Sequence, residues 1–365
     1  MQANLTPDLT EVMGALPNRP AVSIILPIEP TFSFKSTLLH KFKTIVDRVG
    51  RELSAKYPKE VESSVMEKLR SIIATINVDI HKKGIAIFVS QNFEKSIFLD
   101  VPIKERIIIN DTFEVRDLVQ NDKLQDKYLI LLLSGRNFKL YQGSTHQFLK
   151  VISSIPQSIF AYQRDLGEEP FGHTALSERK EVLMDKFLHQ VDREIGRLIA
   201  INHLPVFVLG TTKVLGHFKK LTKNSDSIAA YISGNYDKAS FAQLQELLRP
   251  YLMELKINRQ AQLLTLLDQA ADQRKLAVGI NEVWQAALGK RGQKLVVESD
   301  FMSPILLDMD KDEMLIGSYP GSQQAIFTPD VVDDIIAKVI AYGGDVDFTE
   351  HNFLDKYQHI ALITH

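Results

Sequence analysis

Between residues 127 and 203 apolar runs alternate with chain reversals and then give way to one long helical pattern. The run YLILLLSGRNFKLYQGSTHQFLKVI is rich in Leu, Ile, Tyr, Phe and Val, with Ser-Gly and Gly-Ser where the chain must turn. That punctuation predicts three short strands, Tyr128–Ser134, Asn137–Gln142 and His146–Ile152. A polar loop of about 25 residues follows. Beyond it, Leu183, Phe187, Val191, Ile195, Leu198 and Ile199 recur at helical spacing and place one apolar side on a helix over Ser177–Asn202. Loops of such length between strong elements are uncommon in compact domains and tend to be functional.

The same reading extends to both flanks. Upstream, an apolar strand at Val22–Pro27 precedes a helix near Ser36–Leu53, whose Leu39, Phe42, Ile45, Val46, Val49 and Leu53 share a face. A second helix, Lys59–Ile76, leads into the hairpin KGIAIFVSQNFEKSIFLDVP, and the unit ends in the polar stretch Asp117–Asp126, where apolar periodicity lapses. Downstream, a buried strand Pro205–Leu209 passes through Gly210 into a helix starting near Thr212, then a strand Ser227–Ser233. A β-α-β order of this kind implies a right-handed crossover and a sheet covered by helices. From Ser240 the pattern is helical, with a kink or break at Pro250 before a run over Tyr251–Arg274. A short helix at 280–289, the strand QKLVVESDF, a helix Pro329–Tyr342 closed by Gly343-Gly344, and strands Asp345–Phe348 and His359–Thr364 complete the chain. The expected architecture is α/β in three domains: 1–126, 127–250 with a long loop at 153–180, and 251–365.

Composition narrows the classes. The chain has 365 residues and is 45% hydrophobic, enough for ordinary globular cores. It has no cysteine, which excludes disulfides, thiolate metal sites and cysteine nucleophiles. The first residues carry acids and prolines where a signal peptide needs a basic start, and no apolar run approaches the roughly 18 residues of a membrane span, so a cytoplasmic location is expected. The net charge of −2 is uneven: the three domains sum to 0, +5 and −7. A basic middle suits contact with polyanion, although domains of this size also differ in charge by chance.

Candidate chemistry is sparse. Asp308, Asp310 and Asp312 alternate as calcium loops do, but an EF-hand needs Gly at its sixth position and Glu at its twelfth, where this chain has Glu313 and Tyr319. The ten histidines show no HExxH and no spacing with acids that recommends a metal, and GTTKVLGHFKK lacks both phosphate-loop spacings. No GxSxG elbow occurs, and Ser134-Gly135 and Ser233-Gly234 read as turns. No catalytic residue, cofactor or metal is therefore expected. Lys213, Lys219, Lys220 and Lys223 cluster around one helix and are candidates for nucleic-acid phosphates, an attraction independent of sequence.

The order SGRNFKLYQG, long loop, ERKEVLMDKFLHQVDREI, LPVFVLGTTKVLGHFKKL, then GINEVWQAALGKRGQKLVVESDF and VVDDIIAKVIAYGGDVDFTE with ALITH at the end, resembles the bacterial relatives of archaeo-eukaryotic peptide release factor and Pelota over most of 127–365. The resemblance implies a release factor/Pelota-like middle domain and a C-terminal domain like the kink-turn-binding ribosomal proteins. It also implies a ribosome-associated translation factor of hibernation, rescue or stress type that binds near the A site. Release factors of that kind carry Gly-Gly-Gln at the loop tip; the matching stretch here, YQRDLGEEPFGHTALSERK at 162–180, has none, which argues against peptidyl-tRNA hydrolysis. Arg291-Gly292-Gln293 reads instead as a helix-ending turn. Within the loop, Arg164, His173, Arg179 and Lys180 join the four lysines as expected ribosome contacts. The implied partners are the ribosome and its RNA, with a translation elongation factor as a further candidate, and neither DNA nor membrane. Two readings remain open beside this one: a hydrolase of peptidyl-tRNA or a nucleotide with the loop as an active-site lid, whose turnover would be lost on changing His173 or Glu169 to alanine, and a protein-interaction scaffold using the acidic third domain.

Overall fold

The apolar run Ala21–Pro27 forms strand β1, and its alternation divides it between two cores. Val22, Ile24 and Leu26 pack with Phe42, Val49 and Leu53 of helix α2 (Phe34–Lys56) and with Val65 and Leu69 of helix α3 (Lys59–Thr75). A first helix, α1 (Pro7–Gly14), precedes β1; its Thr6 cap accepts the Leu9 N–H. Strands β2 (Gly84–Val89), β3 (Glu94–Leu99) and β4 (Arg106–Asn110) complete an antiparallel sheet in the order β3-β2-β1-β4. Ala21 and Ile25, on the opposite face, enter a core with Phe88, Leu118 and Val119 and with Trp284, Val297, Ile335 and Ile360 from the end of the chain. This computed structural model describes all residues except 1–5, 16–18, 29–33, 78–81, 125–126, 145–147, 167–172, 309–312, 316–324 and 329.

Packing groups the chain into two units, Met1–Gln125 with Leu263–His365, and Asp126–Gln262. The sequence divides it in three, at 126 and 250; the first and third stretches share the core just described.

Residues 116–124 form helix α4 (Arg116–Leu124) where the sequence predicts a polar boundary. The periodicity is hidden because α4 turns Arg116, Asp117 and Asn121 inward beside Leu118 and Val119. The second unit holds β5 (Tyr128–Leu133), β6 (Phe138–Gly143), β7 (Phe148–Lys150), α5 (His173–Asn202), β8 (Val206–Gly210), α6 (Thr212–Leu221), β9 (Ile228–Ser233) and the start of α7 (Phe241–Asp272). Its sheet runs β7-β6-β5-β8-β9, with β5, β8 and β9 parallel and β6 and β7 antiparallel. Pro250 does not break α7, which continues through it. Apolar anchoring on both sides within one core, Leu244 and Leu248 before the proline and Tyr251, Leu252 and Leu255 after it, holds the helix across the missing hydrogen bond.

The last stretch builds β10 (Leu276–Val278), α8 (Gly279–Leu288), β11 (Gly292–Glu298), a small sheet of β12 (Ile305–Asp308), β13 (Glu313–Leu315) and β14 (Ala325–Thr328), then α9 (Val331–Ala341), β15 (Asp345–Thr349) and β16 (Ile360–Thr364). The main sheet has the order β10-β16-β11-β15, with β11 and β15 parallel. Arg291-Gly292-Gln293 lies where α8 ends and β11 begins, just after Lys290 in a left-handed turn (φ 56°). Asp308 and Glu313 pair across β12 and β13, while Asp310 and Asp312 lie outside the described residues. Among the described residues, no helix is long and apolar enough to cross a membrane.

Candidate nucleic-acid interface

Three strands of the second unit end at one edge, since the parallel register pairs Leu133 with Gly210 and Gly210 with Ser233. Crevices outside the carboxyl ends of parallel strands are where open α/β sheets hold ligands. The turns leaving β5, β8 and β9 line a cleft of about 520 Å³, floored by Leu132, Leu133 and Leu209 and rimmed by Ser134, Arg136, Asn137, Thr211, Tyr236 and Asp237. Glycine at 210 permits the close approach: a Cβ there would lie 2.7 Å from the Leu133 carbonyl oxygen. Ser134 Oγ accepts the Asn137 N–H at 2.8 Å and fixes the β5–β6 turn, leaving Arg136 exposed, its guanidinium 5.9 Å from the Phe160 ring centre.

Cation outweighs anion around the cleft. The Asp237 carboxylate is paired with Lys139 at 2.9 Å, so it presents little free negative charge. Helix α6 starts at the same edge behind Thr211, which makes no side-chain capping bond, while Thr212 Oγ1 and Ser233 Oγ lie 2.7 Å apart. Uncapped N–H groups at a helix start carry partial positive charge.

The segment entering the long loop is bound to this edge. Gln157 accepts the Phe138 N–H at 3.0 Å, and the Ile159 N–H donates to the Arg136 carbonyl at 2.8 Å. Residues 159–166 form a 3-10 helix instead of open loop, because Ile159 and Tyr162 bury against the core, Tyr162 edge-on to Phe187 at 5.9 Å. Further back, the Ser154 N–H and hydroxyl each donate to Glu194 of α5 at 2.8 Å. Burial pushes the Glu194 carboxyl up, but these donors, Ser153 and Arg197 outweigh it and hold it below the usual carboxylate range. The loop is also shorter at its far end, since α5 already begins at His173.

The expected contact residues fall into three groups. Lys213 and Lys220, seven apart on α6, share its exposed face, opposite the buried Val214, Leu215 and Phe218. Lys219 is exposed on the flank with its ammonium 4.5 Å from the centre of the Tyr231 ring. Lys223 is exposed in the turn after α6, where its N–H donates to Asp192 Oδ2 at 3.0 Å and ties that turn to α5. Lys180 is exposed on α5. The side chains of Arg164, His173 and Arg179 lie outside what the structure describes, as do Glu168 and Glu169 altogether. The sequence reading misses Arg136 and Lys139, whose only signal is one base in a turn read as punctuation and another in the strand that follows it. Among the described residues, groups able to hold a metal ion gather at Glu298, in the other unit.

Residues 127–291 match the sequence model of bacterial archaeo-eukaryotic release factor family 3. No curated protein matches the chain. Among solved structures, an archaeal translation termination factor, aRF1, aligns over 98% of this chain and 97% of its own at 14% identity, with a TM-score of 0.25. Dom34 of S. cerevisiae, a translation termination-like factor, aligns over 76% and 74% at 12% identity with a TM-score of 0.39. An archaeal Pelota, in a model of its ribosome-bound form with ABCE1, aligns over 100% and 95% at 10% identity with a TM-score of 0.43. The stretch that carries the cleft, the loop root and the cationic α6, within residues 127–291, is thus the part of the chain that is similar to bacterial archaeo-eukaryotic release factor family 3.

Proposed function

We propose that this protein is a ribosome-associated translation factor, of hibernation, rescue or stress type, whose second unit meets ribosomal RNA near the A site. The observation that carries the reading is the family match over 127–291, a stretch that includes the unit whose α6 exposes Lys213 and Lys220. Phosphate contacts need cations on a rigid support. Asp192 supplies it, accepting the Lys223 N–H and the Asn224 side-chain amide at 3.0 and 2.9 Å. Arg136 and Lys180 extend the cationic set, with Arg164, His173, Arg179, Lys219 and Lys223 as further contacts.

The factor works by occupancy and does not hydrolyse peptidyl-tRNA, because no Gly-Gly-Gln occurs in the chain. A translation elongation factor is a candidate delivery partner, and the cytoplasm is the site of action.

Sedimentation with purified ribosomes tests the reading. Wild-type protein is expected to pellet with ribosomes at low salt and to release as salt rises. Lys213→Glu with Lys220→Glu should weaken binding at least about tenfold and reduce the salt slope by roughly one unit per lost contact. Protein that stays in the supernatant at low salt, or binding indifferent to both reversals, contradicts it. Peptide release from loaded ribosomes, abolished by His173→Ala or Glu169→Ala, would establish the hydrolase reading instead.

A further inference from the structure

We propose that the unit formed by the two ends of the chain binds one divalent cation of the zinc class through Glu298, His359 and Asp355. Glu298 is 1% exposed at the end of β11. Its Oε1 accepts the Leu354 N–H at 2.8 Å, which orients the carboxylate and leaves Oε2 facing His359 Nδ1 at 3.0 Å. Asp355 Oδ1 is 3.7 Å from the same nitrogen. With metal–ligand bonds of about 2.0–2.2 Å, the edge of a tetrahedral site is about 3.4 Å, so these separations bracket what a shared ion requires.

The ligands are held before any ion arrives. Gln358 and His359 both adopt left-handed backbone (φ 53° and 68°), which turns His359 back over the end of β11, and Phe301 stacks on its ring at 5.4 Å. His351 and Asp300 flank the same oxygen from a more exposed position, His351 Nδ1 being 3.9 Å from Glu298 Oε2 and 3.0 Å from Asp300 Oδ2.

A second observation points the same way. The β11–β15 register pairs Glu298 with Thr349, and paired residues of parallel strands present their side chains on one face. Thr349 is 5% exposed, and its hydroxyl has no hydrogen-bond partner. Orphaned buried hydroxyls are rare, and a water completing a cation's coordination is a partner such a group could take. An ion pair between Glu298 and a charged imidazole accounts for the 3.0 Å contact but leaves that hydroxyl unexplained. An ion here would fasten the turn 354–359, and with it β16, to the end of β11.

Cobalt(II) and zinc(II) are the probes, used on the full chain at pH 7.5. Expected are one ion per chain by titration calorimetry, cobalt d–d bands of a four-coordinate site, and weaker binding below the imidazole range as protons compete. Glu298→Gln keeps an acceptor for Leu354, and His359→Asn tolerates the left-handed backbone; each should weaken zinc at least about tenfold and abolish the cobalt bands. Should Glu298→Gln fail to fold, His359→Asn, at a part-exposed position, decides alone. No binding by the wild type overturns the proposal. So does affinity unchanged in His359→Asn, or lost only in His351→Asn.

Discussion

Replacing Arg116 with alanine is expected to destabilise the unit of residues 1–125 and 263–365 by about 3–5 kcal/mol. Arg116 is 2% exposed on α4, and its guanidinium reaches across the shared core. It donates to Asp330 Oδ2 at 2.9 Å and to the carbonyls of Glu298 and Ser299 at 3.2 and 2.9 Å. Asp330 is as deeply buried and already serves as the cap of α9, its Oδ1 accepting the Val332 N–H at 3.1 Å. Truncating Arg116 therefore strands a buried carboxylate among Asp333 and Asp334 and leaves two carbonyls without their donor. That loss differs in kind from the loss of a surface pair such as Arg48 and Glu52, worth about 0.3–0.5 kcal/mol. For a unit of this size the thermal midpoint should fall on the order of 10 °C. Asp330→Ala combined with Arg116→Ala should cost clearly less than the two singly, because the stranded charge is then gone. A single-variant loss below about 1 kcal/mol would show that water reaches the pair and that Asp330 is not left stranded.

What the sequence discloses depends on where the packing partner lies. Strands β5, β6 and β8 and helix α5 are legible because their apolar residues repeat at a period and bury against neighbours a few dozen residues away. Helix α4 is not, because Arg116, Asp117 and Asn121 occupy its buried side, and a helix packed through paired charges has no apolar stripe to read. The 3-10 turn at 159–166 escapes for a related reason: two buried residues, Ile159 and Tyr162, make too short a pattern. The shared core is the largest omission. Val115 and Arg116 donate to Asp333, more than two hundred residues away, and no local pattern records that. The candidate sites divide in the same way. Lys213 and Lys220 are visible as a helical pair, whereas the cleft is assembled from three turns, and Glu298 meets His359 only once β11 and β16 are neighbours.

The buried acids of that core give the second large expectation, a unit that becomes more stable as pH falls from about 7 toward 4. Burial pushes Asp333 up to about 7, with Asp334 and Asp330 adding repulsion, although its carboxylate accepts the Arg116 and Val115 N–H groups at 2.7 and 3.3 Å. Burial likewise raises Asp334 to about 6 and lifts Glu114 well above its ordinary range, Asp333 repelling the latter. Glu114 Oε2 has no hydrogen-bond partner, which removes one means of stabilising its charged form. Since the unfolded chain releases these protons near pH 4, the folded unit binds more protons between there and about 7. Its stability must then rise as pH falls through that window and level off above it. For Asp333 alone the shift corresponds to an upper limit of about 4 kcal/mol at 1.36 kcal/mol per unit. Asp345 acts in the opposite sense: burial disfavours its charge, but Lys123 and Lys294 hold it below the usual range, so its contribution is lost only under more acid conditions. Chemical denaturation of the wild type at pH 5, 6, 7 and 8 should show the trend. Asp333→Asn, which keeps an acceptor for Arg116 but cannot ionise, should flatten the slope most clearly between pH 6 and 7, with Asp334 and Glu114 left to give the remainder. If both proteins show the same slope, Asp333 is already ionised at pH 5, and the backbone donors of Val115 and Arg116 outweigh its burial.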